Sequence, residues 1–198
     1  PDNVTLLVVG DVSGDEVFPL IERAYAGWKK GPPRPLVPVE PPQKEERRMA
    51  LGWKGATLPV LLMGFHTPAF STTNPDVPAL DVLAELLFAE RSPLYKKLVI
   101  DEQKVQTLSG SNAQHVDPNL FTIYGRLKKP EDFGYVEDAI AAELGRIARD
   151  GVPAQTMAEV LAHTRYAFAA QLSTADRVAL VGANFIGLTG GLSSIDAY

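Results

Sequence analysis

The three histidines are the first candidates for a metal site in this sequence, and their spacing argues against one. A zinc-binding helix carries a second His or a Glu three or four residues further on, so that both side chains project from one helical face. Neither residue type follows His66, His115 or His163 at those positions. We interpret each histidine as a strand-end, loop or helix-surface residue, and we predict no metal ligand in this chain.

A glycine turn near the start of the sequence is the next candidate for chemistry. The turn Gly10-Asp11-Val12-Ser13-Gly14 follows an apolar run and precedes a helical pattern, which is also how dinucleotide sites begin. Such sites require G-x-G-x-x-G, because the backbone amides must approach a pyrophosphate. The spacing here is G-x-x-x-G, and Asp11 and Asp15 place negative charge where phosphate would bind. The pattern favours a helix-capping turn whose carboxylates complement the helix dipole.

No other pattern supplies a nucleophile or a general base. The sequence has no Gly-x-Ser-x-Gly elbow, the charged run over 44–48 is typical of a solvated segment, and Asp101-Glu102 falls at a predicted helix end.

The formal charge of -5 and the absence of a basic stripe argue against nucleic acid binding. No apolar segment is long enough for a membrane span, and the absence of cysteine excludes thiolate chemistry. The absence of cysteine leaves the compartment open, because cysteine-free proteins occur on either side of a bacterial membrane, in the cytoplasm or the periplasm.

The first 46 residues predict an isolated strand and helix followed by a linker. The apolar run Val4–Val9 predicts a strand buried on both faces, and a helix is expected over 14–28, with Pro19 near its first turn. Six prolines between residues 32 and 42 predict an extended polyproline tether. A Pro-x-x-Pro ligand at Pro35–Pro38 is the alternative interpretation, but a tether accounts for the same residues.

The remainder of the sequence alternates paired strands with paired helices. Strands are expected over 48–54 and 58–65, joined by a turn at 54–57, and over 104–113 and 119–127 as an antiparallel hairpin. Helices are expected over 76–90, from Ser92-Pro93 to about 100, over 131–150 and 153–171, and after a cap at Ser173. This order predicts an α+β fold whose mainly antiparallel sheet is covered by helices on one face. The opening strand and helix look like the end of a preceding body, and the final residues look like the start of another helix.

Five stretches together resemble the insulinase and pitrilysin family of zinc metallopeptidases, in the two-domain bacterial branch close to the mitochondrial processing peptidases. None of the five is specific alone, but their order and spacing cover almost the whole chain. They are VTLLVVGDV at 4–12, the proline tether after Trp28-Lys29, GFHTP at 64–68, D-x-x-A-L-x-V-L at 76–83, and S-x-L-Y-x-x-L-V at 92–99 followed by DPNLF at 117–121.

The resemblance implies a molecule of two homologous halves that close around an unfolded peptide. Only the first half of such enzymes carries the zinc motif H-x-x-E-H, which this sequence lacks. The resemblance implies that residues 1–30 are the terminal strand and helix of a missing first half, and that residues 31–46 are the linker. Residues 47–198 are expected to form a C-terminally truncated, non-catalytic half-domain of the processing-peptidase type. The implied function is that of the substrate-enclosing half of a zinc peptidase, inactive alone, with no cofactor of its own and with zinc in the missing half.

The family often supplies an Arg and, seven residues later, a Tyr from the second half to hold the substrate. The matching positions here are Val99 and Gln106, and valine cannot donate a hydrogen bond. This departure leaves three alternatives: the half contributes only chamber wall, it works through Lys97 or Lys104, or the chain has lost activity. The Ser-Arg-Leu usual in the family is replaced here by Ser92-Pro93-Leu94, and the arginine precedes it as Arg91. Arg91 is either a clamp for a phosphate or carboxylate or a solvent-facing residue of the helix cap.

The resemblance also implies the partners. We expect a peptide substrate, and either the missing first half or a catalytic partner subunit; a second copy could pair with the opening strand. A catalytically inactive partner or scaffold subunit of the same fold is the alternative function, motivated by Val99 and Gln106. An unrelated small-molecule enzyme, with a pocket lined by His66 or His115, is the third hypothesis.

Overall fold

The computed structural model describes residues 4–32, 36 and 38–196. The chain divides into two compact units, the first running to Thr57 and the second beginning at Leu58. Among the described residues, no helix combines the length and the apolar content that a membrane crossing requires.

Among the described residues of the first unit there is one helix, α1, over Gly14–Tyr25. Asp15 and Glu16 in its first turn complement the positive end of the helix dipole. The predicted helix is confirmed but ends three residues early, where the Trp28 amide donates to the Tyr25 carbonyl at 2.9 Å. Pro19 lies beyond the first turn, inside the helix, so the helix loses one backbone hydrogen bond there.

The predicted strand Val4–Val9 is wrong for this structure. These residues belong to no strand, and Val4, Leu6 and Val8 are 60%, 49% and 46% exposed rather than buried. A β-strand exists only as part of a ladder, because its backbone N–H and C=O groups need a neighbouring chain. An apolar run therefore indicates that a segment could pair as a strand, but it does not show that a partner strand is present.

The predicted strand over 48–54 is wrong for the same reason. Its apolar residues alternate as a strand's would, but Met49, Leu51 and Trp53 are 91%, 83% and 75% exposed and no ladder includes them. Two of the four residues of the Pro-x-x-Pro alternative at Pro35–Pro38, 35 and 37, lie outside the described residues. Residues 38–57 form no helix and no strand.

Residues 58–196, the part of the second unit that the structure describes, contain three strands and five α-helices. The strands are β1 (Val60–Thr67), β2 (Val105–Asn112) and β3 (Asn119–Leu127). The helices are α2 (Asp76–Phe88), α3 (Pro93–Tyr95), α4 (Phe133–Asp150), α5 (Ala154–Gln171) and α6 (Ala175–Thr189). A π-helical turn over Lys96–Asp101 continues α3, and a 3₁₀ turn over Pro130–Asp132 precedes α4.

The three strands form one antiparallel sheet in the order β1-β3-β2. In β1 and β3, Val60 lies opposite Arg126 and Thr67 opposite Asn119, while β2 pairs with β3 from Val105 opposite Leu127. A register shift between Val105 and Thr107 marks a β-bulge. The hairpin predicted from the sequence is confirmed as β2 and β3, and the predicted strand over 58–65 as β1.

A hydrophobic core lies between the helices and one face of the sheet. Along β3 the side chains alternate, so that Phe121, Ile123 and Leu127 are buried while Arg126 on the other face is exposed. Buried side chains from β1, β2 and the helices α2, α3 and α4 join the same cluster: Leu61, Leu87, Phe88, Leu94, Leu98, Val105, Leu108, Val136 and Ile140. The predicted α+β class with helices on one face of an antiparallel sheet is confirmed.

Short polar and glycine signals set most helix ends where the sequence predicted them. The Ser92 hydroxyl accepts from the Tyr95 amide at 3.1 Å and opens α3, and Gly151 ends α4 at φ 71°. At α2 the acceptor is the Asn74 side chain, which binds the Asp76 amide at 2.9 Å. At α6 the predicted cap Ser173 is wrong, because its hydroxyl donates back to Ala170 of α5 at 2.8 Å and Thr174 is the N-cap.

Candidate functional site

Val99 and Gln106, the two positions matched to the family's Arg and Tyr, do not form a donor pair. Val99 lies in the π-helical turn and packs, half-buried, against the hydrophobic core. Gln106 is exposed in the β-bulge between Val105 and Thr107. The Val99 side chain has no hydrogen-bond donor, so these two positions cannot present the Arg and Tyr donors that the family resemblance implies.

Lys97 and Lys104, the two lysines named from the sequence, are brought together by a third residue. Their ammonium nitrogens lie 5.3 Å and 4.9 Å from the ring centroid of Tyr135 in the first turn of α4. Both distances fall within the roughly 6 Å at which a cation is attracted by the negative face of an aromatic ring. Tyr135 is 41% exposed, so the arrangement is accessible from solvent.

Two carboxylates complete what we call the Tyr135 cluster: Lys97, Glu102, Lys104, Asp132 and Tyr135. The Tyr135 hydroxyl donates to Glu102 Oε1 at 2.8 Å, and Lys104 forms an ion pair with the buried Asp132. The hydrogen bond to Asp132 raises the pKa of Lys104, and Glu102 adds to the effect. Among the described residues Lys97 makes no ion pair, so its charge is the less neutralised of the two.

The backbone between the two lysines is what positions them. The Glu102 amide donates to the Lys97 carbonyl at 2.9 Å, which is the i to i+5 bond of a π-turn. Gln103 follows in the left-handed region at φ 52°, and the Lys104 amide then returns to the Leu98 carbonyl at 3.0 Å. The chain therefore reverses within one turn of Lys97 and enters β2. π-turns of this kind are frequent at functional sites.

Sequence reasoning missed Tyr135 and Asp132. Both lie about 30 residues after Lys104, at the start of α4, and no local pattern connects them to it. The sequence offered one indication of these two residues: the helix predicted over 131–150, which was expected to cover the sheet, begins with acidic and aromatic residues. The cluster can offer ammonium donors to a carbonyl or carboxylate oxygen, but it contains no activated nucleophile.

The histidines lie where their sequence context predicted them. His66 is near the end of β1, His115 is in the loop between β2 and β3, and His163 is half-exposed on α5. His163 Nδ1 lies 3.0 Å from Glu85 Oε1, the same oxygen that Arg91 approaches at 2.6 Å. Arg91 is thus engaged by a carboxylate of this chain, contrary to the anion-clamp alternative. In the described ranges no three His, Cys, Asp or Glu side chains are grouped so as to hold a metal ion, and these residues do not fit a zinc site.

Comparison with known proteins identifies the family. Residues 1–163 match the family described as "Peptidase M16 inactive domain". A "Zinc protease PqqE" of Helicobacter pylori is 31% identical over 126 residues, a match that covers 61% of this chain and 28% of that protein. The chain therefore spans less than a third of that curated relative.

Solved structures show the same fold. A protease from Helicobacter pylori superposes with a TM-score of 0.78 at 21% identity, covering 95% of this chain and 46% of the other. A chain of "Complex III2 from Candida albicans, Inz-5 bound" matches with a TM-score of 0.55 at 16% identity, covering 70% of this chain and 36% of the other. The insulinase-family resemblance read from the five stretches is confirmed: this chain belongs to the M16 peptidases, as their inactive domain.

Proposed function

We propose that this chain is the substrate-enclosing, non-catalytic half of a zinc-dependent peptidase that cleaves peptides or unfolded polypeptides. The observation that carries the proposal is the match of residues 1–163 to the inactive domain of the family. The relation to a zinc protease at 31% identity supports it. In this proposal the zinc and the H-x-x-E-H motif belong to a separate catalytic half, which is the partner of this chain.

The organisation of the chain follows from the same proposal. Residues 1–30 complete the catalytic half, 31–46 link the two halves, and 47–198 form the non-catalytic half-domain. The exposed apolar side chains of the opening segment and α1, such as Val4, Phe18 and Leu20, support a packing partner for this region.

Within the non-catalytic half, the Tyr135 cluster is the site we assign to substrate contact. Val99 and Gln106 cannot reproduce the family's Arg and Tyr, whereas Lys97 and Lys104 provide two cationic donors beside one ring. Lys104 is held by Asp132 and serves to orient Tyr135. Lys97, without an ion-pair partner among the described residues, is the donor we assign to a substrate carbonyl.

A partner or scaffold subunit without peptidase activity is the second candidate. It is favoured by one observation, the replacement of both family donors by Val99 and Gln106. The fold shared with a chain of Complex III2 is compatible with it.

The experiment that separates the two candidates uses the whole protein that contains this chain. Its activity on unstructured peptides is measured with and without zinc, alongside the 198-residue chain alone and a variant whose H-x-x-E-H glutamate is changed to Gln. Zinc-dependent cleavage by the whole protein only, lost in that variant, supports the peptidase. A whole protein that cleaves nothing under any metal, or that lacks H-x-x-E-H, supports the scaffold instead.

A further inference from the structure

The lysines of the second unit lie together at one end of the sheet. From Leu58 onward the sequence has five lysines, and all of them fall in the segment 96–104 or directly after β3. These two segments are neighbours, because the Lys128 amide donates to the Lys104 carbonyl at 2.9 Å and Leu127 pairs with Val105. The lysines are Lys96, Lys97, Lys104, Lys128 and Lys129.

Lys97 and Lys128 are exposed, and both are tied to the same chain reversal. The Lys97 carbonyl accepts from the Glu102 amide at 2.9 Å, and Lys128 Nζ donates to Gln103 Oε1 at 3.4 Å. Among the described residues neither lysine forms an ion pair, whereas Lys104 has a carboxylate partner. Two positive charges therefore face solvent at this reversal without an ion-pair partner.

The remainder of the second unit is acidic. In residues 58–196, outside the two lysine-bearing segments 96–104 and 126–132, twelve Asp and Glu side chains stand against five arginines. Within those two segments the five lysines and Arg126 outnumber four carboxylates: Asp101, Glu102, Glu131 and Asp132. A charge distribution of this kind attracts an anionic group at one place and repels it elsewhere. A peptide carboxylate is the anion that the proposed function supplies.

We infer that Lys97 and Lys128 bind an acidic side chain of the peptide substrate. The inference rests on the proposed function, since it takes a peptide as the ligand, and it adds the substrate class: peptides that carry Asp or Glu. An ammonium group forms shorter and stronger hydrogen bonds with a carboxylate than with a neutral carbonyl. Lys97 has three N–H donors, so a carboxylate and the carbonyl assigned above can share it. Nucleic acid is disfavoured, because its further phosphates would extend onto the acidic remainder of the unit.

Two blocked peptides that differ only in charge test the inference by titration into the 198-residue chain. They are acetyl-Ala-Ala-Glu-Ala-Ala-amide and its neutral counterpart with Gln in place of Glu, and amide chemical shifts in NMR spectra report binding. We expect the Glu peptide to bind about two- to fivefold more tightly at low salt, the contribution of exposed ion pairs, with shifts at Gln103, Lys104 and Lys128. The preference should disappear in about 0.5 M sodium chloride, which screens exposed charges. Equal affinities, or no binding of the Glu peptide, would overturn the inference.

Variants locate the binding groups. Lys97→Met and Lys128→Met should each reduce the preference for Glu over Gln, and the double variant should abolish it. Arg165→Met removes a positive charge from an exposed position of α5, so it is the matched control and should keep the preference. Unfolding midpoints show that the exposed substitutions leave the fold intact. A preference that survives in the double variant, or that Arg165→Met reduces equally, would overturn the assignment to the two lysines.

Two further ligands separate the sources of negative charge. Acetylated pentaalanine with a free carboxyl terminus carries its carboxylate at the chain end, and a single-stranded thymidine oligonucleotide carries phosphates. Tighter binding of the Glu peptide than of both supports an acidic side chain as the ligand. Tighter binding of either alternative would overturn that assignment.

Turnover by the whole protein keeps this inference distinct from the proposed peptidase activity. The Glu and Gln versions of one cleavable peptide are compared by kcat/KM, and we expect about two- to fivefold faster cleavage of the Glu version. An active enzyme without that preference would overturn this inference alone. A whole protein that cleaves neither peptide contradicts the peptidase, and the binding ratio measured on the 198-residue chain then decides the inference.

Discussion

The ring of Phe88 occupies the space into which a side chain on Gly110 would project. A Cβ atom built on Gly110 would lie 2.2 Å from Phe88 Cδ2 and 2.5 Å from Cε2. Phe88 ends α2 and is 5% exposed, and Gly110 lies in the middle of β2. The close approach of helix and sheet at this point therefore requires glycine.

Gly110→Ala is expected to destabilise the chain by about 1–3 kcal/mol, because the buried ring must leave its position in a packed core. The measurement is the free energy of unfolding in urea. Gly187→Ala in α6, where a Cβ would meet nothing within 4 Å, is the control and should be neutral or stabilise by up to about 1 kcal/mol. Equal effects of the two substitutions would contradict the packing of α2 on β2.

Leu87→Ala tests whether the core lies on the helical face of the sheet. Leu87 is fully buried in the core cluster, and its truncation should cost about 2–5 kcal/mol through lost transfer energy and the cavity left behind. Leu62, 66% exposed on the other face of β1, should change the unfolding free energy by no more than about 0.5 kcal/mol when replaced by Ala. A large cost at Leu62 would show that the second face is also covered.

Asp176 makes the stability of α6 depend on pH. The hydrogen bond from Thr174 lowers the pKa of Asp176 below its ordinary value of 3.8, and the amides of Asp176 and Arg177 act in the same direction. A lowered pKa means that the ionised form is favoured by folding. The stabilisation is therefore present above pH 3.8 and is lost as the pH falls through the lower pKa of the folded state.

The corresponding experiment compares thermal unfolding of the chain and of Asp176→Asn between pH 7 and pH 2. We expect a lower midpoint for the variant at pH 7 and a difference that shrinks at the acidic end. Asp138→Asn, at an exposed position of α4, should show no such trend. A difference between the chain and Asp176→Asn that stays constant down to pH 2 would rule out the proposed hydrogen bonds.

Lys97 should matter for substrate turnover if the Tyr135 cluster contacts substrate. In the whole protein, Lys97→Met is expected to lower kcat/KM by at least about tenfold, since removal of a single oxyanion donor in other enzymes costs more than this. Lys96→Met changes the neighbouring exposed lysine of the same π-turn and is the matched control. Unfolding midpoints of both variants show whether the effect is on stability. Equal activity of the two variants would remove Lys97 from the site.

The sequence predicted those elements whose ends carry their own chemical signals. Some helix ends could be predicted from nearby residues alone, because the residues that set them act within one helical turn. They are Ser92 before Pro93, Gly151 after α4 and Pro153 before α5. The β2–β3 hairpin was predictable because both strands and their turn are adjacent in sequence. The fold class followed from the order of these elements.

The incorrect predictions share a dependence on distant residues. Residues 4–9 and 48–54 have strand patterns, but a strand also needs a partner, which their own sequence does not specify. The π-turn over Lys96–Asp101 leaves the apolar spacing almost unchanged and was invisible for that reason. At the candidate site, the two lysines could be named from their proximity to Val99, but Tyr135 meets them only through the packing of α4 against α3.

The metal content of the purified 198-residue chain is the most direct test of the central claim, that the hydrolytic zinc is bound by another part of the protein. After incubation with zinc and dialysis against metal-free buffer, elemental analysis should find far less than one zinc per chain, and the chain should cleave no unstructured peptide. One tightly retained zinc per chain, or zinc-dependent cleavage by this chain alone, would contradict the assignment.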